Sequence, residues 1–182
     1  MPRKIELRLA GSGGQGLVLA GIILAEAAVL FDGKNAVQTQ SYGPEARGGA
    51  SKSEVIISEG DIDYPKCENL DALLALTQES CNKYIGDLKP GGLVLLDEDL
   101  VHGLPDGPWE KVIRIPFTAI AREDLGKQMV ANIVALGALV ELTGVVTSEA
   151  IEQAVLKRVP KGTEDLNKRA LNAGMEAARK AA

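Results

Sequence analysis

Residues 5–30 place a short apolar strand pattern, a glycine turn and an apolar helix pattern in immediate succession. The strand pattern covers residues 5–10, and the helix pattern begins near Leu17. Between them lies Gly11-Ser12-Gly13-Gly14-Gln15-Gly16, with glycines at the first, third and sixth positions. This fits G-x-G-x-x-G in the strand-to-helix setting that gives the motif meaning. A helix N-terminus leaves four N–H groups unpaired and carries partial positive charge, and glycines let a phosphate approach the backbone without meeting a Cβ. The turn is therefore a candidate anion site, or else a tight strand-to-helix connection whose glycines serve φ and close packing.

A chain of 182 residues, 46% apolar and 25% charged, suits one globular domain spanning 1–182. Its net charge of −5, with aromatics at 3%, argues against nucleic acid, which asks for basic patches and stacking rings. The first residues run directly into a strand pattern, so no signal peptide is expected. Neither apolar stretch, 17–31 or 129–142, reaches the roughly twenty apolar residues of a membrane span, and a cytoplasmic protein is expected. Cys67 and Cys81 stand apart, and His102 is the single histidine. No metal set or Fe–S ligation is therefore expected from this chain alone, and no catalytic residue is assigned to it. His102 reads as an exposed loop residue between turn signals.

Further along, residues 36–40 and 53–57 alternate as strands, 70–76 reads as a strand, and 78–85 as a short helix. Residues 88–92 carry turn chemistry, followed by near-continuous apolar strand patterns at 93–97 and 112–115. Such strands suit a sheet covered on both faces. Helix patterns fill the remainder: 128–142, apolar on nearly every face; 149–158, entered through Thr147 or Ser148; and 165–180. The expectation is a single three-layer α/β/α domain with a mostly parallel sheet, a Rossmann-like beginning and a helical C-terminal part.

Dinucleotide binding would place an acidic residue at the end of the second strand to hold ribose hydroxyls. Gln38, Thr39, Gln40 and Ser41 stand there instead, and no Lys-Ser or Lys-Thr follows the glycines as a P-loop requires. A second glycine segment is the more specific clue. Tyr42, Gly43, Pro44, Glu45, Ala46, Arg47, Gly48 and Gly49 carry a carboxylate and a guanidinium on backbone able to take unusual dihedrals. Loops leaving the carboxyl ends of neighbouring strands tend to share one rim, so both glycine segments are expected at one site. Arg47 would supply the forked donor that a phosphate or carboxylate needs. Alternatively, a Glu45–Arg47 ion pair holds the loop's shape or packs on a partner, although surface ion pairs stabilise little.

Gly11 to Gly16, together with Gln40-Ser41-Tyr42-Gly43-Pro44-Glu45-Ala46-Arg47-Gly48-Gly49, resembles the gamma subunit of 2-oxoacid:ferredoxin oxidoreductases, most of all its 2-oxoglutarate branch. Asn132 and Leu136-Gly137-Ala138-Leu139 add to the likeness, which spans essentially the whole chain. The resemblance implies a complex that oxidatively decarboxylates a 2-oxoacid. Thiamine diphosphate, Mg2+ and Fe–S clusters would lie on other subunits, electrons would pass to ferredoxin, and the acyl group to coenzyme A. It implies alpha and beta partners, with a ferredoxin-like delta subunit as a further candidate. The coenzyme A contacts would be Gly11, Ser12, Gly13, Gly14, Gln15, Gly16, Tyr42, Gly43, Glu45, Arg47, Gly48 and Gly49, with Arg47 as the ionic one. Open beside it stand a pyruvate or branched-chain 2-oxoacid complex, a stand-alone Rossmann-type oxidoreductase, and an interaction subunit whose loops touch no ligand.

Overall fold

The computed structural model describes residues 2–42 and 49–182. Its sheet contains β1 (Lys4–Ser12), β2 (Asn35–Tyr42), β3 (Ala50–Ser58), β4 (Leu70–Ala75), β5 (Leu88–Asp97) and β6 (Lys111–Ile115), in the spatial order β2-β3-β1-β4-β5-β6. β1, β4, β5 and β6 pair in parallel, whereas β3 runs antiparallel to β1 and β2. β3 alone therefore opposes the common direction. The α-helices are α1 (Leu17–Glu26), α2 (Gln78–Tyr84), α3 (Phe117–Ala119), α4 (Ala131–Thr143), α5 (Ser148–Arg158) and α6 (Glu164–Ala181).

Strand alternation divides the core into two layers. Leu7, Leu9, Leu74 and Leu95 turn toward α1, α4, α5 and α6, while Leu73, Ala75, Val94 and Leu96 pack with Cys81 and Tyr84 of α2. Helices thus cover both faces, as the apolar strand patterns require. α1 is apolar all round, and Gly21 lets it lie directly on β3, because a Cβ there would meet the Ser53 hydroxyl. α4 and α6 approach in the same way: a Cβ on Gly137 would strike the Leu171 carbonyl, and one on Gly174 the Val134 carbonyl. Thr147 caps α5 by accepting from Ala150 N–H at 3.1 Å. Its own N–H and hydroxyl donate to Asp32 at 2.7 and 2.8 Å, tying α5 to the turn before β2.

Several local readings change. Residues 88–92 form the start of β5 rather than a free turn: Leu70 pairs with Leu88 and Ala72 with Leu93, and the surplus residues bulge at Gly91, with φ 75°. The turn chemistry was encoding a bulge. α1 continues as a π-helical turn, Ala27–Phe31, and α3 as another, Ile120–Asp124. The latter region is too short for periodicity to reveal. β2 also does not neighbour β1, since β3 inserts between them.

Candidate functional site

Gly11 and Ser12 finish β1, and Gly16 caps α1 in the left-handed region at φ 76°. Within the turn, Gln15 folds its side chain back so that Oε1 accepts from Ser12 N–H at 2.7 Å, while Gln15 N–H donates to the Ser12 carbonyl at 3.3 Å. Gly11 has to be glycine for space, because a Cβ would run into the Gln15 amide and Leu17. Gly16 is constrained twice, by its φ and because a Cβ would lie 2.5 Å from Asn132 Nδ2. Around Gly13 the space is open.

Beside this turn lies a cavity of about 260 Å³ lined by Gly14, Gln15, Leu76, Thr118, Gln128, Met129 and Ala131. Gly14 and Gln15 follow β1, and Leu76 follows β4. From β1 the chain moves outward through α1 to β2 on one side, whereas β4 and β5 extend the sheet on the other. This is the switch in strand order at whose carboxyl ends α/β sheets bind ligands. The N-termini of α1 and α4 both meet the cavity region, and neither carries a side-chain cap or an acidic residue in its first turn. No lining residue bears a charge. An anion there would meet the positive ends of two helices, each contributing about 0.3–1 kcal/mol, and the unpaired N–H groups of α1; at α4, Ala131 N–H is held by the Gln128 carbonyl and Ile133 N–H by Asn132 Oδ1.

Asp97, at the end of β5 and fully buried, shapes the opposite wall. Its Oδ2 accepts from Thr118 N–H at 3.0 Å and from the Thr118 hydroxyl at 2.7 Å, while Oδ1 accepts from Asp99 N–H at 3.0 Å. The Thr118 proton is thereby committed to Asp97, and its hydroxyl oxygen is left as an acceptor. On the Gly16 side, Asn132 donates from Nδ2 to the Gly16 carbonyl at 3.1 Å.

Of the residues expected from sequence, Gly14 and Gln15 line the cavity, while Gly11, Ser12, Gly13 and Gly16 belong to the same turn, with Gly13 exposed. Tyr42, 63% exposed, ends β2, with β3 between it and β1. Register still brings the second segment's ends to the same end of the sheet, with Ser12 opposite Ala50 and Tyr42 opposite Ser51. Gly49 is half-buried there, whereas Gly43, Glu45, Arg47 and Gly48 lie outside the described residues. Sequence reasoning missed Leu76, Thr118, Gln128, Met129 and Asp97. Only the Asp97-x-Asp99 spacing after an apolar strand offered a local signal.

The other charged cluster lies under α2. Arg8, on the β1 face opposite Leu7 and Leu9, donates to Glu54 at 3.0 Å, Asp87 at 2.8 Å and the Tyr84 carbonyl at 3.0 Å. Burial opposes that charge, but Asp87 and Glu54 outweigh it and raise the guanidinium pKa. Burial, reinforced by Glu54, pushes the Cys67 thiol up, and burial does the same to Cys81. Both therefore stay protonated near neutrality and are poor nucleophiles. His102 is exposed, its N–H donating to Gln78 Oε1 at 2.9 Å.

The family model described as pyruvate ferredoxin/flavodoxin oxidoreductase matches residues 6–177, including both glycine segments. The chain belongs to this family. Among pyruvate ferredoxin/flavodoxin oxidoreductase relatives, it is similar to the 2-oxoglutarate synthase subunit KorC of Methanocaldococcus jannaschii, with 54% identity over 96% of this chain and 94% of that one. It is 34% identical to the ketoisovalerate oxidoreductase subunit VorA of Methanothermobacter thermautotrophicus, over 97% of this chain and 37% of that longer one. Among solved structures, the gamma subunit of the keto/oxoacid ferredoxin oxidoreductase of Geobacter sulfurreducens superposes with a TM-score of 0.91 at 56% identity, covering 98% of both chains. The 2-oxoglutarate:ferredoxin oxidoreductase of Magnetococcus marinus shares the fold, with a TM-score of 0.85 at 22% identity, over 98% of this chain and 31% of that one.

Proposed function

We propose that the chain is the gamma subunit of a cytoplasmic 2-oxoglutarate:ferredoxin oxidoreductase and that its glycine turn takes part in binding coenzyme A. In the complex, 2-oxoglutarate loses CO2, two electrons pass through Fe–S clusters to ferredoxin, and the succinyl group forms a thioester with coenzyme A. Thiamine diphosphate, Mg2+ and the clusters sit on alpha, beta and ferredoxin-like delta subunits. This chain supplies binding and assembly rather than the reacting groups.

The branch assignment is supported by the gradient of identity: 40–54% to 2-oxoglutarate synthase subunits, against 32–34% to ketoisovalerate and 33% to pyruvate enzymes. Support for partner subunits comes from the VorA subunit, where the matched region is 37% of a longer chain. In that relative the matched region is one part of a longer polypeptide.

The observation that carries the coenzyme A reading is the uncharged cavity beside the N-termini of α1 and α4, that of α1 uncapped. It fits a phosphate or the carbonyl-rich arm of the coenzyme, whose anionic and acceptor groups match N–H donors. At about 260 Å³ it is smaller than the roughly 300–1,000 Å³ of complete ligand sites, so a neighbouring subunit completes it. Arg47 and Tyr42 are proposed as further contacts from the second glycine segment. The test is the rate of the purified complex on 2-oxoglutarate, pyruvate and branched-chain 2-oxoacids with coenzyme A and ferredoxin. Preference for 2-oxoglutarate is the expected result, and preference for pyruvate would overturn the branch assignment.

A further inference from the structure

We infer that Asn132 is a positioning residue for this site, locking the N-terminus of α1 to that of α4 so that the glycine turn presents its donors in one fixed geometry. The inference rests on the coenzyme A reading above. Asn132 is 6% exposed and spends both ends of its amide: Nδ2 donates to the Gly16 carbonyl at 3.1 Å, and Oδ1 accepts from Ile133 N–H at 2.9 Å. The Gly16 carbonyl also accepts from Ala20 N–H at 3.1 Å, the first bond of α1. With both lone pairs engaged, this carbonyl cannot tilt. The peptide plane is rigid and trans, so holding the Gly16 C=O also fixes the direction of Leu17 N–H, one of the unpaired donors of α1.

The steric fit has the same consequence. Gly16 sits at φ 76°, and the Asn132 amide fills the space that a Cβ would take, with Nδ2 2.5 Å from that position. Turn and amide therefore define one another. Ala131, immediately before Asn132, lines the cavity, so one residue couples two of its walls. By contrast, Gln15 braces the turn from within, its Oε1 accepting from Ser12 N–H.

The experiment uses the assembled complex with two substitutions that remove the donor differently. Asn132→Leu is near-isosteric and uncharged. Asn132→Asp keeps the acceptor for Ile133 N–H, in a helix-terminal position that favours a carboxylate, but places an oxygen against the Gly16 carbonyl. Leaving that carbonyl unmatched should raise KM for coenzyme A about tenfold in both variants, with smaller changes in kcat and in KM for the 2-oxoacid. A merely structural role would raise the KM values of both substrates together in a variant that still assembles, and that result would overturn the inference. If Asn132→Leu fails to assemble, Asn132→Asp decides it, and an unchanged KM for coenzyme A there would be fatal. Gly13→Asp, set in open space, serves as the control for the underlying reading. Its carboxylate should weaken coenzyme A whatever Asn132 does. If it does so while the Asn132 variants do not, positioning fails and the coenzyme A reading stands; if it has no effect, both fail.

Discussion

Gly174 lies against the carbonyl of Val134, so close that a single methyl group would collide with the backbone of α4. Gly137 faces the Leu171 carbonyl of α6 in the same manner. Neither contact can be relieved by rotating a side chain, because the obstacle is main chain. Gly174→Ala should therefore destabilise the fold by about 1–3 kcal/mol through overpacking, despite alanine's better helix propensity. Gly13→Ala, with open space and no positive φ, should be near neutral. Denaturant midpoints of the two variants compare them, and equal shifts would contradict the packing described.

Thr147 both caps α5 and holds Asp32. Removing the hydroxyl should cost about 0.5–2 kcal/mol. Thr147→Ser, which keeps the oxygen, should recover most of that loss. Thermal denaturation of the two variants is the measurement.

Arg8 and Glu54 form an ion pair with side chains 2% and 11% exposed. Breaking such a pair on one side costs up to about 3–5 kcal/mol, and Lys52, 2.9 Å from Glu54, keeps the loss of Arg8 below that limit. Arg8→Met alone should therefore be more damaging than Arg8→Met combined with Glu54→Met. Urea unfolding of the single and double variants would show whether the double is milder, and a simple sum of losses would argue against coupling.

Acid should act on two carboxylates in particular. Burial would raise Glu54, but Lys52 and Arg8 hold it below the ordinary value of 4.5, and the hydrogen bonds from Arg158 do the same for Glu26. A carboxylate depressed in the fold contributes stability that is fully present above its unfolded pKa and is lost as pH falls through the folded one. Stability should then be flat from neutrality down to about pH 5 and decline below it. Glu54→Gln should start lower and decline less steeply. A variant profile parallel to the parent's would exclude Glu54 as a contributor.

Much of this architecture was legible where the signal is local. The strand, glycine turn and helix at the start announce themselves through periodicity and glycine spacing, and Thr147 through its place before an amphipathic run. The remaining features depend on contacts that no window of sequence contains. Asn132 meets Gly16 from another helix, Thr118 meets Asp97 across the sheet end, and β3 enters between β1 and β2, antiparallel to both. At residues 88–92 the chemistry of a turn was present, but pairing of Leu88 with Leu70 converted it to a bulge. Arg8 illustrates the converse: it stands amid apolar strand residues, and Glu54 and Asp87, distant in sequence, make its burial tolerable.

The central claim, that coenzyme A meets this chain at the glycine turn, is tested most directly by hydrogen–deuterium exchange of the assembled complex with and without coenzyme A. Protection should rise in peptides covering residues 11–20 and 126–134, while those covering 88–93, at the opposite end of the sheet, stay unchanged. Protection confined to other subunits, with residues 11–20 exchanging at the same rate in both states, would contradict it.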